Sequence, residues 1–160
     1  MHIGDLRGIA VVSLAEGAKL GQVDVPLFDP ATLHLRAFRV RGDRQTFIVP
    51  LDLVRTIGAD AIMVESSAAT QADAKGGAYG DLVEFATLKH LKVVDAAGTF
   101  VGTVNDLELD PATGRALRIV AHKGGVLGLG GETTMVEMAA IHTIGAAMIT
   151  LAAAGVPPPA

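Results

Sequence analysis

Cysteine and tryptophan are absent from the 160 residues, and aromatic side chains make up only 4% of them. Without cysteine there can be no disulfide, no thiolate metal site and no thiol nucleophile, which fits a reducing compartment. With so few rings, any core must be aliphatic, built from Val, Leu, Ile and Ala. Charge is also sparse, at 19% of residues with a net of −4. It is spread evenly: residues 1–65 carry seven basic and eight acidic groups, and residues 88–160 carry five and six. No segment has the positive excess that nucleic-acid binding normally requires. Half the chain is apolar, so a packed fold is expected rather than disorder.

Catalytic signatures are missing as well. The five histidines (His2, His34, His90, His122 and His142) show no ligand spacing, and no metal is expected. No Ser, Thr or Lys stands in a nucleophile motif. The Gly-rich run Gly124–Gly131 lacks the Lys-Ser/Thr of a phosphate-cradling loop. The expectation is a protein that is not an enzyme and needs no cofactor. Met1–Arg7 lacks the basic-then-apolar pattern of a signal peptide, so a cytoplasmic location is expected. The almost uncharged stretch Met138–Val156 approaches the length of a membrane span.

What the chain does have is an internal repeat. Leu6-Arg7 reads against Leu88-Lys89, and Val11-Val12 against Val93-Val94. After a one-residue shift, Gly17, Gly21 and Val23 match Gly98, Gly102 and Val104. Asp29-Pro30-Ala31-Thr32 recurs as Asp110-Pro111-Ala112-Thr113, and Thr56-Ile57-Gly58-Ala59 as Thr143-Ile144-Gly145-Ala146. Met138–Leu151 thereby aligns with Leu51–Val64, which carries Asp52, Arg55 and Asp60. The apolar stretch near the C-terminus is then a turn and a strand, not a membrane span.

Each copy predicts the same string of elements. Short strands are bounded by Gly turns, and Val104–Asp110 alternates apolar and polar residues. Asp-Pro-Ala-Thr supplies a tight turn, because Pro presets φ and Asp can bond back to the backbone. About five short strands and one short helical turn, at Leu51–Arg55 or Ala139–His142, fill each copy. So few residues cannot make a sandwich, whereas a small closed barrel removes exposed edges. The expected fold is all-β: two small barrels in tandem, at 1–65 and 88–152, with a linker at 66–87 and a loose tail at 153–160. Barrels this small are marginal alone and should pack on each other or on a partner.

The second copy resembles the PRC-barrel domain through Val93-Val94-Asp95, Gly98, Gly102-Thr103-Val104-Asn105-Asp106 and Asp110-Pro111-Ala112-Thr113-Gly114-Arg115. The first is similar in Val49-Pro50-Leu51-Asp52-Leu53-Val54-Arg55-Thr56-Ile57-Gly58 but is degenerate, with Leu33-His34 in place of Gly114-Arg115. The resemblance implies a non-catalytic docking or adaptor protein. The family includes the cytoplasmic barrel of the photosynthetic reaction-centre H subunit and the C-terminal barrel of a ribosome-maturation factor. The first implies a protein partner at the cytoplasmic face of a membrane complex, such as a reaction centre and its H subunit. The second implies a ribosomal protein or rRNA, supported locally only by arginines.

Candidate contacts follow from how the copies differ. Val126, Leu127 and Leu129 are apolar residues in a Gly-flanked insertion of the second copy. They either meet a partner or fold back over a barrel. Arg36, Arg39, Arg41 and Arg44 gather in the first copy; they suit an acidic or phosphate-bearing surface or form an ordinary solvated face. Asp106, Glu108 and Asp110 alternate along one strand, as a cation-binding cluster or, more simply, a solvated strand face.

Overall fold

The computed structural model describes residues 1–73, 77–125 and 130–153. The loop residues Val126, Leu127 and Leu129 therefore lie outside the described residues, as does the tail from residue 154.

The first copy contains β1 (Ala10–Ser13), β2 (Ala18–Phe28), β3 (Leu35–Arg41), β4 (Thr46–Pro50), β5 (Val54–Ile57) and β6 (Ala61–Val64). Two short strands of the connecting segment follow, β7 (Gln71–Ala72) and β8 (Val83–Glu84), and then the single-turn helix α1 (Phe85–Leu88). The second copy contains β9 (Lys92–Val94), β10 (Phe100–Leu109), β11 (Ala116–Gly124), β12 (Gly131–Glu137), β13 (Ile141–Ile144) and β14 (Met148–Leu151). Each barrel thus has six strands where about five were expected. The extra ones, β5 and β13, occupy part of the stretch assigned to a helical turn. The turn itself is a single 3-10 turn, Leu51–Leu53 or Met138–Ala140. Val54–Ile57 is only four residues long with half-buried ends, too short for a period-2 pattern to show.

The strand order is β5-β6-β1-β2-β3-β4-β7 in one sheet and β12-β11-β10-β9-β14-β13 in the other. In both, a three-residue turn joins the outermost strands of the barrel's own six, β4 to β5 and β12 to β13, so the sheet must curl. Long β2 serves β1 along its first half and β3 along its second, and register shifts at Val23/Val25 and Leu27/Phe28 allow the bend. The shifts in β10 fall at the matching residues, Val104/Asp106 and Glu108/Leu109. Gly21 and Gly102 mark a close crossing in each copy. A Cβ there would lie 2.8 Å from Val40 Cγ1 or 2.9 Å from the His122 carbonyl carbon, so no larger residue fits.

The connecting segment is a strap rather than a free tether. β7 adds to the outer edge of β4, and β8 to β2. Tyr79 and Leu82 cover Leu27, Ala37 and Ile48 on the outer face of the first barrel. Glu16 accepts hydrogen bonds from the Ser67 N–H at 3.2 Å and its hydroxyl at 3.0 Å, and also from the Ser13 hydroxyl, the one buried polar side chain among the described residues. Composition alone hid this strap, because small polar residues serve a tether and a close-fitting cover equally well.

The two barrels exchange their leading segments. Val83 and Glu84 pair antiparallel with Phe28 and Leu27 of the first barrel. Met1 and His2, which the repeat aligns with Val83 and Glu84, pair with Leu109 and Glu108 of the second. Met1 and Leu109 exchange backbone hydrogen bonds at 3.2 and 2.7 Å, and His2 bridges Glu108. Phe85 then packs on Phe28 with ring centroids 6.2 Å apart. The copies are therefore related by a pseudo-twofold axis, as in an isologous dimer, and one hydrophobic cluster runs through both from Ile3 to Ile149.

Near that axis sit the turns that follow β2 and β10. Leu33 and Gly114 both adopt positive φ, +59° and +72°, and each donates its N–H back to the turn aspartate, Asp29 or Asp110. A Cβ on Gly114 would collide with Leu51 Cδ2, and the Gly114 carbonyl accepts the Leu35 N–H at 2.9 Å across the seam. Leu33 is fully buried. The degenerate first copy has thus placed a core side chain where the second keeps a glycine, and the difference fills the seam. Among the described residues no helix is long and apolar enough to cross a membrane. Within Met138–Val156, the stretch that resembles a span, Met138–Leu151 forms the 3-10 turn, β13 and β14.

Candidate docking surfaces

The arginines of the first copy do not form one patch. Alternation along β3 turns Arg39 and Arg41 outward, but only Arg41 is exposed. Arg39 lies under the strap, donating to Asp73 at 3.0 Å and to Glu84 at 2.5 Å. Partial burial alone would lower its pKa. The bonds to Glu84 and Asp73 outweigh that and hold the guanidinium above its ordinary value. Arg39 is therefore a fastening for the strap. Arg36 is exposed at the start of β3, and Arg41 and Arg44 at its hairpin end. About 16 Å of strand, at the usual rise per residue, separates Arg36 from Arg41.

The three carboxylates of β10 and its turn are each engaged. Asp106 accepts from the Ile3 N–H at 3.3 Å and lies 2.9 Å from His2 Nδ1, holding the exchanged leader. Glu108 accepts from Arg118 at 2.8 Å. Asp110 accepts from the Ala112 N–H at 2.9 Å, within its turn. All three are half-buried rather than freely solvated. Leu107 and Leu109 between them are fully buried, as the simpler strand-face reading has it, and each carboxylate is held by its own partner instead of meeting the others at a shared cation site.

Two features escaped the sequence reading. The first is a cleft of about 440 Å³ between the exchanged leaders. Ile3 and Phe85, and Arg7 and Lys89, line it at corresponding positions of the two copies, with Asp24 and Asp106 beside them.

The second is the outer edge and face of the second barrel. The repeat aligns Leu27, Ala37 and Ile48, the apolar patch under the strap, with Glu108, Arg118 and Met135. Arg118 bridges Glu108 and Glu137, at 2.8 and 2.6 Å. Its bond to Glu137, then the charge of Glu108, raise the guanidinium pKa. Met135 is 48% exposed where its counterpart Ile48 is 2%. Among the described residues β12 pairs with β11 alone, so its far edge is open. The aligned triplet Leu27/Ala37/Ile48 against Glu108/Arg118/Met135 is the signal by which sequence could have shown one covered face and one bare one.

Two barrels joined by exchanged leaders, with one sheet edge sealed and the other, among the described residues, open, define a β scaffold whose distinctive chemistry lies on its surfaces. The PRC-barrel domain family matches residues 1–71 and again residues 80–156. The chain therefore belongs to the PRC-barrel family as a tandem of two such domains. No curated protein matches it. Domains of this family serve in protein–protein interaction and adaptor roles.

Proposed function

We propose that this protein is a non-catalytic docking subunit that binds the cytoplasmic face of a membrane complex, with a photosynthetic reaction centre, beside its H subunit, as the first choice. The occurrence of the PRC-barrel family as the cytoplasmic barrel of the reaction-centre H subunit supports that choice. The observation that carries the reading is the unequal finish of two otherwise matching barrels. The first is closed by its own strap over Leu27, Ala37 and Ile48. Among the described residues the second leaves the β12 edge and Met135 uncovered, as a partner-facing surface would be.

The test is binding of the purified chain to membranes that contain reaction centres and to membranes of a strain lacking them. The expected result is saturable co-sedimentation with the first only, and cross-links to the H subunit. Equal recovery from both membranes, or none from either, overturns the proposal.

A further inference from the structure

We propose that the open edge of β12 receives an extended basic segment of a partner protein as an added antiparallel strand. The inference deepens the docking reading and rests on it.

The first barrel supplies an internal precedent. Its β4 is the counterpart of β12, and β7 completes that edge antiparallel, with Gln71 opposite Ile48 and Ala72 opposite Phe47. The repeat places Pro158-Pro159 at the positions of Gln71-Ala72, and proline has no amide hydrogen to give to a ladder. At those two positions the second copy therefore lacks the amide donors that β7 has.

The ladder also identifies which backbone groups face outward. Gly42 donates to the Gln45 carbonyl at 3.0 Å across the β3–β4 turn. Bonded and non-bonded pairs alternate from there, which turns the polar groups of Thr46, Ile48 and Pro50 away from β3. Pro50 fits that side, since an outward position needs no amide hydrogen toward β3. The counterparts on β12 are Thr133, Met135 and Glu137, whose N–H and C=O groups face the open edge. An edge of this kind is a template for strand addition.

Charge fixes the chemistry of the occupant. Glu137 and Glu108 share the single cation Arg118. Glu132 lies opposite Lys123 in register, yet the Lys123 ammonium sits over the Phe100 ring, 5.9 Å from its centroid. Glu132 has no ion pair among the described residues. The edge thus presents excess carboxylate at both ends and Met135 midway. An antiparallel strand suits it with an apolar residue opposite Met135, a cation two residues earlier opposite Glu137, and a cation three residues later opposite Glu132. β-Branched neighbours would flank the central apolar residue, opposite Thr134 and Val136.

The test uses the full chain, isotope-labelled, and three end-blocked peptides: Lys-Val-Val-Thr-Thr-Lys, its Glu-ended counterpart, and Lys-Val-Pro-Thr-Thr-Lys. The basic peptide is expected to slow amide exchange at Thr133, Met135 and Glu137 at least tenfold, leaving Phe47 and Ile48 unchanged. The other two peptides should leave all five unchanged. Glu137→Pro copies Pro50 at a residue whose φ is already −64°. It should weaken binding at least fivefold while the chain stays folded, and Glu137→Gln separates the lost charge from the lost amide.

No slowing at millimolar peptide overturns the proposal, as does equal slowing by the acidic peptide. Protection of the same amides in the chain alone, growing with its concentration, assigns the edge to a second copy and also overturns it. Peptide binding without membrane binding would keep the edge and remove the membrane partner. Membrane binding unaffected by Glu137→Pro would do the reverse.

Discussion

At the scale of single residues, the seam shows how a departure from a repeat acquires a purpose. Leu33 sits at φ +59°, a conformation that costs a branched residue on the order of 1–2 kcal/mol. Its complete burial returns about 1.5–3 kcal/mol. The ordinary order of substitutions should therefore invert. Leu33→Ala loses the packing and keeps the strain, whereas Leu33→Gly loses the packing and sheds the strain. Urea unfolding should find the glycine variant about 1 kcal/mol more stable than the alanine one. An alanine variant equal to or better than glycine would show that the turn is unstrained.

The next residue gives a pH dependence. Burial, then the nearby Arg115 charge, depress the His34 pKa below its ordinary 6.5, with Arg36 adding to the effect and Asp29 opposing it. The folded state thus binds the imidazole proton less readily than the unfolded chain. Stability is unaffected by this group above about pH 6.5. It falls as pH drops from there through the lower folded-state value. His34→Gln should flatten that part of the stability–pH curve, and Arg115→Gln should reduce its slope by removing a cation at the position related to His34 by the repeat.

At the scale of elements, the strap is held by β7, β8, two apolar side chains and Arg39. Arg39→Ala should cost about 1–3 kcal/mol for hydrogen bonds to charged groups and speed proteolytic cleavage between Ala72 and Leu82. Arg41→Ala, exposed and without an ion pair among the described residues, should stay within about 0.5 kcal/mol. Similar effects from both would mean that Arg39 is not a fastening.

The repeat and its aliphatic strands were legible because the matching residues sit at buried or conformationally special positions, such as Val11 against Val93 and Gly21 against Gly102. The strap was not. Of its apolar anchors, Tyr79 stands alone among Gly, Ala and Asp and Leu82 reads with Val83 as the start of the next element, and the patch they cover comes from three separate strands. The separation of Arg36 from Arg41 and Arg44 was equally invisible, because closeness in sequence becomes distance along an extended strand. For Asp106 and Glu108, the alternation was readable, but their partners, the leader residues His2 and Ile3 and the β11 residue Arg118, were not.

At the scale of the whole molecule, exchanged leaders and one shared core should make the two barrels unfold as a single cooperative unit. Ile62 and Ile149 are equivalent, fully buried residues in different barrels. Ile62→Val and Ile149→Val should each cost about 0.5–1.5 kcal/mol. Each should lower one common melting transition by about 1–6 °C, at about 2–4 °C per kcal/mol for a chain of this size. Two calorimetric transitions, each moved by only one of the variants, would show independent barrels instead.

The pseudo-twofold axis has a consequence for valency. Two identical barrels paired about a true twofold would present two identical open edges and could bridge two targets, building chains of alternating components. In this chain the copies differ, and with β7 sealing one edge the proposed docking mode has one binding end. On that docking mode the chain would join its target one to one and terminate an assembly instead of propagating it.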